Sequence, residues 1–173
     1  MELVMRPMRS AVLSVLLVTP STLVLAQARP APAPAATAPA TLTAAQRDAL
    51  ARQDAQMADA ARKVAELVDR GRSGEVWDGA SEVARKLVSR PDFVRGIATD
   101  RARLGTLVSR GQPSVTRTQY PANAAVPQGM YINVNFPTRF SNTGQPVREL
   151  VSFRMEDDRV WRVSGYSVRG VGQ

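Results

Sequence analysis

Two charged residues fall at positions where the surrounding pattern is apolar, and they are the first candidates for chemistry. Arg101 recurs with Val94, Ile97, Leu104 and Val108 at the three- and four-residue spacing of a helix stripe. Glu149 alternates with Val147, Val151, Phe153 and Met155 on one face of a strand. Both charges therefore point inward, and because an unpaired buried charge is very costly, each is expected to meet the other or a backbone partner. One reading is an ion pair that fixes how helix and sheet dock. The other is the polar floor of a cavity that grips an anion or a carbonyl. Charged pairs in small cores are more often architectural than catalytic, which favours the first.

Other chemistries are bounded by what the chain lacks. It has no cysteine, hence no disulfide, no thiolate nucleophile and no lipid-bearing cysteine, and no histidine, the commonest general base and transition-metal ligand. No Gly-rich phosphate loop and no Gly-x-Ser-x-Gly elbow occurs. The one acid and phenol combination available for proton transfer is Glu149 with Tyr131 or Tyr166. Trp77, Trp161 and Tyr166 could stack a flat ligand, but aromatic residues at core spacing usually fill volume. Tyr131, Asn133 and Asn135 share a strand face where amides and a phenol could bind sugars, and a solvated sheet surface explains them equally well. Glu156, Asp157 and Asp158 lack the further spaced oxygens of a calcium loop and read as a solvated turn. No catalytic residue, metal site or cofactor is expected.

The elements that must position Arg101 and Glu149 follow from the period of the pattern. Thr43 and Gln46 fit a capping box that opens a helix running to Asp69 or Arg70, with Leu50, Met57, Ala61, Val64 and Val68 at helical spacing and Gly71 as the stop. Ser73 can cap a second helix from Gly74 to Ser89 with the stripe Val76, Ala80, Val83 and Leu87. Arg90-Pro91-Asp92 opens a third, which carries Arg101 and closes at Gly111 and Pro113. The period then changes to alternation, with strands expected at Val115 to Tyr120, Met130 to Phe140, Val147 to Met155 and Val160 to Val168. Pro137 marks a bulge or an edge in the second strand. The expected fold is α+β: three helices on one face of a curved four-stranded antiparallel sheet.

Upstream, the composition changes. Arg6 and Arg9 precede the apolar run Ala11 to Ala26, and Ala26-Gln27-Ala28 forms a small-residue cleavage site before Arg29, with cleavage after Ala26 as the second choice. Residues 1–28 thus read as a signal peptide, 29–42 as an Ala/Pro-rich linker and 43–173 as the α+β domain, its compact part spanning about 60–170. No later segment could cross a bilayer, so the mature chain is expected in the periplasm or outside the cell. The formal net charge of +8 is carried almost wholly by scattered arginines. Export disfavours nucleic acid as the partner and leaves an anionic envelope polymer as the natural acidic neighbour.

Trp77, then Arg101 with Leu104-Gly105 and Arg110, then Pro127 to Tyr131, Phe136 to Phe140, Glu149 and Trp161 to Tyr166 stand in an order and spacing that resembles an uncharacterised family of exported bacterial proteins, domain of unknown function 4019. The resemblance spans roughly Val64 to Val168. It implies a nuclear-transport-factor-two-like cone, in which a curved sheet wraps helices and often encloses a cavity. Arg159 departs from the pattern by standing where a turn glycine is usual, which argues against a tight two-residue hairpin there. The cone hosts both enzymes and inert adaptors. The leading functional reading is a non-catalytic envelope protein that binds a partner protein or a small ligand. The alternative is a small-molecule enzyme with an acid and a tyrosine in an enclosed cavity of ~300 Å³ or more.

Overall fold

The computed structural model describes residues 42–169, so the expected signal peptide with its cleavage site at Ala28 and Arg29, and the linker up to Thr41, lie outside the described residues. The first helix, α1 (Ala44–Asp69), opens on the capping box: the Gln46 N–H donates to Thr43 Oγ1 at 3.2 Å and the Thr43 N–H donates to Gln46 Oε1 at 2.8 Å. It buries Met57, Ala61, Val64, Ala65 and Val68 against the sheet. Gly71, at φ 73°, lies just beyond its end.

Where one helix from Gly74 to Ser89 was expected, two short ones stand, α2 (Ser73–Asp78) and α3 (Glu82–Leu87). The chain breaks between them because the N–H of buried Ser81 donates to the Val163 carbonyl of the sheet at 2.7 Å instead of bonding back up a helix. The apolar stripe passes straight through this break and ends on Leu87, which is 71% exposed, so spacing alone could not report it. Ser73 is likewise not a cap. It is the buried first residue of α2, and the cap position belongs to Arg72, which makes no side-chain cap bond.

The helix carrying Arg101, α4 (Arg90–Leu104), opens as its sequence predicts, with Ser89 Oγ accepting from the Asp92 N–H and Pro91 in the first turn. It ends earlier than expected, at Gly105 rather than Gly111. Leu104 and Thr106 give their carbonyls to the N–H groups of Asn142 and Ser141 at 3.0 and 2.8 Å, which draws the chain onto the sheet. The residues that follow form a short strand, β1 (Leu107–Arg110), and Val108, expected on the helix stripe, is 60% exposed there.

The remaining strands are β2 (Ser114–Tyr120), β3 (Gly129–Phe140), β4 (Val147–Met155) and β5 (Trp161–Arg169). The described architecture is therefore α+β with four helices and an open antiparallel sheet of five strands, not three and four. β3 pairs along one side with β4 and along the other with β1 and β2 in succession. Pro137 sits at the changeover, between Arg110↔Thr138 and Ser114↔Asn135. Its carbonyl accepts from the Gly111 N–H at 2.9 Å, so its nitrogen also faces the β1–β2 connection, where no ladder donor is required. Ile132, Val134, Phe136, Val151 and Phe153 of the sheet meet Met57, Val64, Val68 and Ile97 of the helices in one core. The β4–β5 hairpin has a three-residue loop, closed by Arg159 N–H to Glu156 carbonyl and Glu156 N–H to Val160 carbonyl, both 3.0 Å, with Arg159 at φ 62°.

Candidate functional site

Glu149 is wholly buried on the helix-facing side of β4, as its alternation with valines and Phe153 requires. Its charge is answered chiefly by Arg110. Nε of Arg110 donates to Oε2 at 2.6 Å and Nη2 donates to Oε1 at 3.0 Å. The Thr138 hydroxyl donates to Oε2 and the Tyr166 hydroxyl to Oε1, each at 2.7 Å. Arg101 lies 3.8 Å from Oε1, close enough for a Coulombic contact but not for a hydrogen bond. Its own strong partner is Asp69 at the end of α1, whose Oδ1 accepts from Nη2 at 2.7 Å. Asp69 also accepts from Arg110 Nη2, at 3.2 Å on Oδ1 and 3.0 Å on Oδ2, and so closes the network.

The charges balance: two guanidinium groups face two carboxylates. Phenylalanine rings supply the dry surroundings, with the Arg101 guanidinium 4.2 Å from the Phe140 centroid and that of Arg110 5.9 Å from Phe136. Burial pushes the Glu149 pKa up, but hydrogen bonds from Arg110, Thr138 and Tyr166 outweigh it and hold the carboxyl below its ordinary range. Burial likewise works against the charge on Arg110, and Glu149 and Asp69 overcome it and raise that pKa. For Tyr166, burial and the adjacent Glu149 charge act together and push the phenol well above its ordinary value. Tyr166 therefore stays a donor and Glu149 an anion.

Beside the network lies an open cleft of about 430 Å³ between α1, α2, α4 and the start of β1. Val68, Val94, Ile97 and Leu107 wall it, and Asp69 and Arg101 reach it from the network. Their side chains are 18% and 14% exposed, whereas Glu149 is not among the lining residues. The cleft can hold an apolar body with a polar end beside Arg101 and Asp69.

Sequence reasoning picked out Arg101 and Glu149 and offered Tyr166 as one of two phenols for Glu149, but missed that Asp69, Arg110 and Thr138 join them. Signals for two of these were present. Asp69 continues the ridge Ala61, Ala65 by one more step of four, and Thr138 alternates with Ile132, Val134, Phe136 and Phe140. Tyr166, expected either as core filler or as a phenol beside Glu149, carries its hydroxyl into the network. Trp77 and Trp161 are half-buried at the rim of the core, and the Trp77 indole N–H donates to the Val88 carbonyl at 3.0 Å. Tyr131 is turned away from the network, its hydroxyl donating to the Pro127 carbonyl at 2.8 Å, so it is not paired with Glu149. Among the described residues no cluster of acidic side chains could hold a metal ion, and no helix is long and apolar enough to cross a membrane.

Residues 60–166 match the sequence model of the family described as Protein of unknown function (DUF4019). No curated protein and no solved structure matches the chain.

Proposed function

We propose that this chain, which belongs to the DUF4019 family, is a non-catalytic binding domain of the cell envelope whose cleft beside Arg101 receives a small ligand or a segment of a partner protein. The observation that carries this reading is the saturation of Glu149. Each of its oxygens accepts two hydrogen bonds, which uses the lone pairs of an ionised carboxylate and leaves none to take a proton from a substrate. Tyr166 donates inward to that same carboxylate, so neither member of the acid and phenol combination faces the cleft with its reactive atom.

The network's role is then to dock β1, β4 and the C-terminal ends of α1 and α4, and the binding surface is what that docking shapes. Apolar walls with a small polar floor are the usual make-up of a site for small molecules. Export rests on the leader composition of residues 1–28, and the finer cone reading on helices that lie against one face of the sheet.

The test is a thermal-shift and titration screen of the mature chain against small amphiphilic metabolites, run in parallel on Ala98→Trp, which narrows the mouth of the cleft. A ligand that raises the midpoint of the wild type and not of Ala98→Trp is the expected result. Saturable turnover of a metabolite that disappears in a folded Glu149→Gln variant would overturn the reading.

A further inference from the structure

The outer face of the sheet, opposite the helices, carries two pairs of arginines set directly across from each other on β4 and β5. Arg154↔Arg162 lies at one end and Arg148↔Arg169 at the other. Like charges opposed on neighbouring strands are destabilising unless something neutralises them. At the first end this is done internally: Glu156 pairs with Arg154 at 3.0 Å and Asp158 with Arg162 at 2.7 Å. At the second end, among the described residues, no carboxylate reaches either arginine, and Arg148 has only the Asn135 amide oxygen at 2.6 Å. Arg139 adds a third exposed cation, two residues along from Pro137, which is the β3 partner of Arg148. The sole acidic residue in the five strands is Glu149, turned to the opposite face, and the four residues after Arg169 have no acidic side chain.

This cationic end runs into a shallow groove of about 300 Å³ on the same face, with Tyr120, Asn133, Arg148, Leu150 and Ser152 along it. Tyr120 stands edge-on to Tyr131, with ring centroids 5.3 Å apart, and Asn133 accepts from Ser152 at 2.7 Å. The Ser164 hydroxyl, also at the groove, is buried without a partner. From Asn133 to Arg139 the strand covers about 20 Å at the usual rise per residue. An aromatic wall, amides and hydroxyls suit the faces and edges of sugar rings, and planar guanidinium groups suit carboxylates.

We infer that this outer face binds an acidic polysaccharide, its rings in the groove beside Tyr120 and Asn133 and its carboxylates against Arg139, Arg148 and Arg169. The site is separate from the cleft on the helix side and stands whether or not that cleft holds a ligand. An anionic bilayer fits less well, because the groove beside the arginines is lined by the polar groups of Asn133, Ser152 and Ser164.

The test measures binding of the mature chain to polygalacturonate, with dextran, polyglutamate and phosphatidylglycerol vesicles as comparisons. Polygalacturonate is expected to bind at least about tenfold tighter than polyglutamate, which has carboxylates but no sugar rings, and dextran not measurably. The double variant Arg148→Gln/Arg169→Gln is expected to weaken binding by about tenfold or more, and Arg52→Gln/Lys63→Gln, which removes equal charge from exposed positions on α1, by less than about twofold. All four positions are exposed, so both variants fold. Equal affinity for polyglutamate, equal loss in the two double variants, or tighter binding to the vesicles overturns the proposal.

Discussion

Arg110 grips Glu149 through two parallel hydrogen bonds, Nε to Oε2 at 2.6 Å and Nη2 to Oε1 at 3.0 Å, where Glu149 is fully buried and the arginine side chain is 7% exposed. β1 is only four residues long and its hydrophobic residues Leu107 and Val108 are 39% and 60% exposed, so apolar burial does little to hold it. The ionic grip, extended through Asp69 to α1 and through Arg101 to α4, is what ties this strand to the core.

Glu149→Gln removes one of two balancing charges and leaves Arg110 buried beside a neutral amide. Breaking a buried pair from one side costs about 3–5 kcal/mol, which lowers the melting midpoint of a domain this size by about 10–20 °C. Replacing both partners, as Arg110→Met with Glu149→Leu, is expected to cost less than the sum of the single changes. A double-mutant cycle in urea checks this, and additive losses would contradict the coupling.

The same contact fixes the acid limb of stability. Glu149 has a folded pKa below its ordinary 4.5, so the unfolded chain takes up the proton first as the pH falls. Its stabilising contribution is full above that ordinary value and is lost as pH drops through the folded one. The urea midpoint of the wild type should therefore exceed that of Glu149→Gln by a constant margin near neutrality and converge on it in acid. For Tyr166 the sign reverses: its phenol pKa is raised above 10.0, so stability is lost as the pH climbs past that value. Tyr166→Phe is expected to flatten the alkaline limb, and Tyr131, also raised by burial, accounts for what remains.

Arg159 takes a left-handed conformation, φ 62°, in the three-residue loop between β4 and β5. A side chain there costs about 1 kcal/mol or more, offset in part by the greater freedom glycine has when unfolded. Arg159→Gly is expected to raise the melting midpoint by about 2–4 °C, whereas Arg159→Val lowers it, because a β-branched residue fits this region worst. A lower midpoint for the glycine variant would show that the Arg159 side chain holds the loop by a contact of its own.

What the sequence disclosed, and what it hid, follows from where periodic signals end. α1 was readable from its capping box to Gly71, and β3 and β4 from strict alternation, because each presents a long apolar face to one core. Arg101 and Glu149 stood out as charges inside such patterns. Asp69 and Arg110 did not, because each is the last residue of its element, where a period has no further member to confirm it. β1 was hidden for the same reason: Val108 follows Leu104 by four residues and mimics a helix stripe, while the turn that ends α4 is set by hydrogen bonds to Ser141 and Asn142, far away in the chain. The break between α2 and α3 depends on the Val163 carbonyl, again a partner that local spacing cannot show.

That distant turn supplies the last prediction. Gly105 adopts φ 80° and ψ −155°, a region open essentially to glycine alone, and a Cβ there would collide with Ser141 Oγ and come within 2.9 Å of Asn142 Cγ. Ser141 Oγ is also the acceptor for the Thr106 N–H at 3.0 Å, so the clash would break the bond that starts β1. Gly105→Ala is expected to destabilise by about 1–3 kcal/mol, and Gly144→Ala, with open space around it, to change stability by less than about 0.5 kcal/mol. Because Gly105, Thr106 and Leu107 also line the cleft, Gly105→Ala should weaken any cleft ligand while leaving polygalacturonate binding on the outer face unchanged. Equal stability of the two alanine variants would mean that the chain can leave α4 by another route.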